Sequence, residues 1–271
     1  CMSYQVSVRE LWIYPVKSLA GLQVNSLSFD NNGPVGDRRW MLVDERGRFV
    51  TQRSQMSMAL YRLAQVDGRI QITSPRGRTL LLPVPESSQV YPEITVTVWK
   101  DELIGYEVDT TASEWFSEKL GMSVRLVWLG DASERRVPDA QASDDERVGF
   151  ADGYPLLVCN QASLDGLVDT TGLDLEQRRF RPNVVVDGLP AGQELALGEW
   201  HFGAGKLALL KVCERCNIPA VDPETGAYEK ATAALLKSAC RFDGRTVFGV
   251  NAVARGLTGL RMGDTGDWVS N

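Results

Sequence analysis

The chain has 271 residues, enough for one large domain or two of ordinary size, and its 44% hydrophobic and 24% charged residues are the balance of an ordinary globular protein. Its 29 Lys and Arg against 35 Asp and Glu leave a net charge of −6, which argues against nucleic-acid binding through a basic surface and makes any local arginine cluster informative. No apolar run approaches the roughly 18–20 residues that span a bilayer, no signal-peptide pattern opens the chain, and the five cysteines are expected as thiols in a reducing, cytoplasmic setting.

Cys1 ahead of Met2 reads as an added residue and carries no functional weight. Residues 6–13, rich in β-branched and aromatic side chains, predict a strand, and Pro15 ends its pairing so that Lys17 and Ser18 fall on a loop. Strand-like runs recur at 22–29, 39–44, 47–52, 69–73, 78–82, 93–99 and 103–108. The pair 69–73 and 78–82 flanks Ser74-Pro75-Arg76-Gly77 and predicts a hairpin. So many short strands point to a barrel or a strongly bent sheet. A helix is predicted at about 111–120, capped by Asp109 or Thr110 and closed by Gly121. A strand at 123–128 follows, then a polar stretch at 131–147 expected to be a mobile loop, with a domain boundary near 120–130.

The second half predicts a buried strand at 155–159 and a short helix capped by Asn160. Strands at 184–186, 206–211, 246–254 and near 268, with a helix at about 229–239, complete a β-rich α/β domain. No internal repeat is present.

The stretch 211–226 draws the chemistry together, because Cys213 and Cys216 stand three apart with Arg215 between them at the end of an apolar run. A thiolate beside a guanidinium suits a soft metal or a reactive electrophile. Three other readings stay open at this point: two cysteines packing at a strand end, a zinc site that draws on Cys240 and either Cys159 or His201, and a redox dithiol. The only histidine, His201, lacks a nucleophile elbow and is expected to be structural. No phosphate-binding glycine loop and no H-E-x-x-H is present, so hard chemistry would have to come from a cofactor. Lys17, Ser18, Arg38, Arg53, Arg181 and Arg215 all stand where strands meet loops, a placement that suits an anionic ligand.

Several of these segments have a familiar pattern. Leu11-Trp12-Ile13-Tyr14-Pro15-Val16-Lys17-Ser18, Asp37-Arg38-Arg39-Trp40 and Thr51-Gln52-Arg53 resemble motifs of the β-barrel domain that precedes MOSC domains. Arg179-Phe180-Arg181-Pro182-Asn183, Cys213-Glu214-Arg215-Cys216, Val221-Asp222-Pro223-Glu224-Thr225-Gly226 and Phe248-Gly249-Val250-Asn251 resemble the MOSC domain itself. The likeness covers essentially the whole chain and is greatest to bacterial MOSC proteins and the mitochondrial amidoxime-reducing components.

The resemblance implies a mixed β-rich α/β fold, with an N-terminal β-barrel-like domain at residues 2–125 and a MOSC β-barrel domain with flanking helices at 126–271. It implies a molybdenum cofactor (Mo-molybdopterin), Cys216 as catalytic residue and metal ligand, and cofactor contacts from Lys17, Ser18, Arg38, Arg181, Asn183, Arg215 and Asn251. The implied reaction reduces small N-hydroxylated compounds such as hydroxylamines and amidoximes to amines. Only Cys240 follows the C-x-x-C motif, so no iron–sulfur cluster is expected in this chain, and electrons would come from a separate reductase or small redox protein. Cys213 is then a bystander, Asp152 and Asp222 are candidate proton relays, and Glu214 would point away from the cofactor or be protonated. The alternative implied by the same resemblance is a carrier that hands the cofactor or a sulfur atom to a partner enzyme. Neither nucleic acid nor a membrane span is expected.

Overall fold

Two barrels are threaded on one chain, and its first strand lies in the barrel built mostly from its second half. The computed structural model describes residues 3–131 and 133–270, so Cys1 lies outside them. The large barrel takes the strands in the order Leu156–Asn160, Val184–Asp187, Ser3–Ile13, Thr265–Val269, Gly198–Phe202, Gly205–Glu214 and Arg245–Arg255. It closes when the last of these pairs back onto the first, with Leu157 opposite Asn251 and Val158 opposite Val250. Seven strands thus form a ring without free edges.

Only Leu156–Asn160 and Val184–Asp187 run parallel, and the connection between them contains helix α2 (Gln161–Thr171), as a parallel crossover requires. Alternation along the strands sends Val6, Leu11, Val158, Leu207, Val250 and Trp268 into one core. Trp200 and Trp268 face each other across the ladder with ring centroids 5.7 Å apart, both fully buried. Each contributes roughly 4–6 kcal/mol of apolar burial, more than the ~1–3 kcal/mol cost of an indole N–H without a partner. That balance explains why both N–H groups can remain unpaired among the described residues.

The first half builds the smaller barrel around an antiparallel sheet in the order Trp40–Val43, Arg125–Trp128, Asp101–Tyr106 and Glu93–Val98. Residues 47–52, expected as a strand, form no ladder. They make single bridges instead, Val43 to Phe49 and Arg48 to Thr97, and so join the two edge strands of the sheet. Gly47 makes this closure possible: it has φ +75°, and a Cβ there would lie 2.2 Å from the Thr95 carbonyl oxygen. Helix α1 (Thr110–Leu120) seals the core with Ala112 and Phe116; the Asp109 side chain accepts from Thr111 N–H, and Gly121 ends the helix in the left-handed conformation.

The predicted hairpin forms, with Ile72 opposite Leu80, and the unforeseen strand Arg62–Val66 extends it to three strands. The run 22–29 breaks into Leu22–Val24 and Ser26–Asp30, and the latter pairs with Gly259–Arg261 at the rim of the large barrel. Residues 133–147, expected to be mobile, are held by Arg135. Its guanidinium is almost fully buried, pairs with Asp101 at 2.7 Å and donates to the carbonyls of Gly149, Ala151 and Asp152. Helix α3 (Lys230–Ala239) covers the outside of the large barrel, turning Leu236 toward Cys159 and Phe248.

Because a side chain at residue 47 meets backbone on both counts, Gly47→Ala should destabilise the protein by roughly 2 kcal/mol or more, read as a lower thermal-unfolding midpoint. An unchanged midpoint would contradict the closure described here.

Candidate functional site

Residues 14–39 link Ile13 of the large barrel to Trp40 of the small one, and Lys17, Ser18 and Arg38 from this segment line a cleft where the barrels meet. Lys17 N–H bonds to the Trp40 carbonyl and Trp40 N–H to the Pro15 carbonyl, which fixes the crossing. Beneath the cleft floor, the Asp37 carboxylate is 4% exposed and accepts from three directions: Tyr14 N–H at 2.8 Å, Arg38 Nη1 at 2.7–2.9 Å and Asn183 Nδ2 at 3.0 Å. Tyr14 and Asp37 come from the crossing segment, whereas Asn183 comes from the entry to Val184–Asp187. This one buried charge therefore ties the crossing segment to the large barrel.

Arg38 and Arg181 both lie 4.3 Å from the centre of the Tyr14 ring. Burial and the neighbouring Arg38 lower Arg181 to about 10, a group still charged at neutral pH. Three lining residues hold left-handed backbone unusual outside glycine: Ser18 at φ +70°, Arg38 at +44° and Arg181 at +60°. Their concentration in one cleft marks a site where the fold enforces strained backbone.

Lys17 is 5% exposed, and its ammonium bonds to the Phe150 carbonyl at 2.7 Å and to Asp152 at 2.6 Å. Burial lowers its pKa, an effect that Asp152 opposes. Burial pushes the Asp152 carboxyl up, but Lys17 and Arg53 outweigh it and hold the group well below the usual carboxylate range. Asp152 is therefore a standing anion that orients two cations, and a poor proton donor.

The strand Gly205–Glu214 delivers the cysteines. Arg215 N–H bonds to the Thr246 carbonyl, which leaves Cys216 beyond the last pairing and exposed. Arg215 turns toward Cys213, with Nη1 3.0 Å from its sulfur, and toward the Phe180 carbonyl at 2.8 Å. The cation nearest Cys216 is instead Arg53, whose Nη2 lies 3.7 Å from the sulfur and 3.3 Å from Asp152. The bystander expected at Cys213 thus holds Arg215 in place.

The eight residues singled out in the sequence, Lys17, Ser18, Arg38, Arg181, Asn183, Arg215, Cys216 and Asn251, all line this one cleft. Within it, Asn183 is bound on every side: its Oδ1 accepts from Leu157 N–H and Arg38, and its Nδ2 donates to the Trp12 carbonyl and Asp37. It acts as a bracket for Arg38. Glu214 turns away to pair with Arg245 at 3.0 Å. Asp222 does not reach the cleft; it accepts from the N–H groups of Glu224 and Thr225 and shapes its own turn.

His201 pairs with Glu199 on the barrel wall. Cys159 is buried, with its thiol pKa pushed well up, and burial raises Cys240 to about 11, so neither offers a ready thiolate. Among the described residues no three His, Cys, Asp or Glu side chains gather closely enough to hold a metal ion by themselves. Sequence reasoning left out Asp37, although it lies in the quoted Asp37-Arg38-Arg39-Trp40 motif, and left Arg53 out of the cofactor set.

Five cations and two carboxylates line the cleft, and one of those carboxylates belongs to the outward-paired Glu214. In a chain of net charge −6, this is a locally positive groove that ends at a single exposed thiol. The MOSC N-terminal beta barrel domain matches residues 5–123, and the MOSC domain matches residues 145–266. The chain belongs to the MOSC family. This MOSC protein is 30% identical over 233 residues to mitochondrial amidoxime-reducing component 1 of Mus musculus, an alignment covering 83% of this chain and 68% of that one. It is 28% identical over 236 residues to mitochondrial amidoxime reducing component 2 of Homo sapiens, covering 83% and 69%. A molybdenum cofactor sulfurase of Drosophila grimshawi is 28% identical over 224 residues, covering 80% of this chain but 28% of the sulfurase.

Asp37→Ala should leave Arg38 and Asn183 buried without their anion and cost about 3–5 kcal/mol in urea unfolding. A loss below about 1 kcal/mol would show that the carboxylate does not anchor the crossing segment to the large barrel. The Asp152 pair should be visible in acid. Its folded pKa lies below the unfolded value of about 3.9, so its contribution is present above that pH and is lost as pH falls toward the folded value. Between about pH 4 and pH 3, wild-type stability should therefore fall more steeply than that of Asp152→Asn.

Proposed function

We propose that the cleft binds the molybdenum cofactor and that the protein reduces N-hydroxylated compounds to amines. The observation that carries this reading is the pairing of one exposed thiol, Cys216, with a groove of five cations. The donor set fits the group. A thiolate is a soft ligand suited to molybdenum, and guanidinium and ammonium groups suit the phosphate and pterin oxygens. Arg215 Nε is buried with no acceptor among the described residues, a donor of the kind such a ligand would satisfy.

In this reading Cys216 holds the metal, and Lys17, Ser18, Arg38, Arg181 and Arg215 take the pterin and its phosphate. Asn183 positions Arg38, and Asn251 contributes its amide from the strand Arg245–Arg255. Bound there, the cofactor supplies two-electron oxygen-atom chemistry. The overall reaction breaks the N–O bond, consumes two electrons and two protons, and releases the amine and water. Asp152 keeps Lys17 and Arg53 oriented. The electrons come from a separate reductase or small redox protein, and the setting is cytoplasmic. Among the described residues no helix is long and apolar enough to cross a membrane.

The likeness to a segment of a molybdenum cofactor sulfurase favours a second reading, in which the exposed Cys216 hands a cofactor or sulfur atom to a partner. The two readings part in one assay. Cofactor-loaded protein given a chemical reductant and a simple hydroxylamine should turn over many times if it is a reductase, and not beyond one equivalent if it is a carrier. Cys216→Ala should lose bound molybdenum and turnover, whereas Cys213→Ala should keep the metal. Full molybdenum content in Cys216→Ala would sink the ligand assignment.

A further inference from the structure

Trp99 is an unusual residue for its position. It is the first residue of the two-residue turn joining Glu93–Val98 to Asp101–Tyr106, and its φ is +58°. Hairpins place glycine, asparagine or aspartate where φ is positive, because a Cβ there is strained. Trp99 also leaves 51% of its surface exposed, which forgoes most of the burial that makes tryptophan stabilising. Neither the turn nor the core gains from an indole here.

What the indole touches is the mouth of the cleft. The Arg53 guanidinium carbon lies 4.7 Å from the ring centre, and Phe49 meets the ring edge-on at 5.3 Å. Arg53 then reaches Cys216 at 3.7 Å. With the ~1.3 Å C–N bond between the two contacts, the ring centre stands no more than about 10 Å from the Cys216 sulfur. A planar molecule can therefore rest one end on the indole while its other end reaches the sulfur's side of the cleft.

We infer that Trp99, braced by Arg53 and Phe49, is a substrate-docking surface that selects N-hydroxylated compounds whose non-reacting part is a flat aromatic group. Strained backbone at a half-exposed aromatic that contacts a cleft-lining arginine points to a side chain that serves a ligand rather than the fold. This inference rests on the proposed N–OH reduction and deepens it by naming what the rest of the substrate touches.

The test uses the cofactor-loaded protein without any reductant, so that no turnover occurs, and calorimetry with two neutral probes, benzamidoxime and acetamidoxime. Wild type should bind benzamidoxime the more tightly. In Trp99→Leu the ratio of the two affinities should fall by about fivefold to tenfold, the size of one aromatic contact, and Trp99→Phe should restore most of it. Equal binding of the two probes by wild type, an unaltered ratio in Trp99→Leu, or a ratio that Trp99→Phe fails to restore would each overturn the docking role. Adding a reductant afterwards tests the reaction separately: no benzamidine or acetamidine formed by wild type would remove the reductase reading, while the binding ratio still decides the subsite.

Discussion

The Asp37 carboxylate is the interaction on which the rest of this structure depends. It is buried, and a buried charge is costly unless every direction is answered by a donor. Here the donors come from the crossing segment, from the neighbouring Arg38 and from the start of a strand in the large barrel. The same three groups set the cleft floor. Tyr14 presents its ring to two guanidiniums, Arg38 is held by Asp37 and Asn183, and Asn183 in turn pins Leu157 and Trp12. Fold and site thus share one hydrogen-bonded centre, which leaves little room to alter one without the other.

A second consequence concerns charge. The chain as a whole is acidic, yet its cleft gathers cations that repel one another and lie partly out of water. Such an arrangement costs stability, and the structure offsets it locally. Tyr14 offers a π face, backbone carbonyls of Leu19, Phe150 and Phe180 accept from Arg181, Lys17 and Arg215, and Asp152 bridges two of the cations. Residual positive potential in the cleft is what an anionic ligand would neutralise.

Much of this was legible in the sequence, for reasons particular to each segment. Helix α1 announced itself through Asp109, Gly121 and the spacing of Ala112 and Phe116, all local signals. The bridging segment 47–52 misled because its composition is that of a strand while its role, set by Gly47 and two distant edges, is only to close a sheet. Arg62–Val66 was missed because it is largely exposed and carries no clean alternation. The cleft residues were found as a set through family motifs, yet the motifs could not say which arginine faces which sulfur. Arg53 and Arg215 come from different barrels, and only the crossing of the chain decides that Arg53 reaches Cys216 while Arg215 turns to Cys213.

The strand Ser3–Ile13 lies between Val184–Asp187 and Thr265–Val269, partners more than 170 residues away along the chain. During synthesis the small barrel can assemble once Trp128 has emerged, but this first strand must wait for Thr265–Val269 to be made. Until then its apolar face, including Val6 and Leu11, has no permanent cover. The cleft can take shape only at the end of that wait, since Tyr14 and Lys17 hang from the same strand. Anything that binds there meets a chain already folded through Val269.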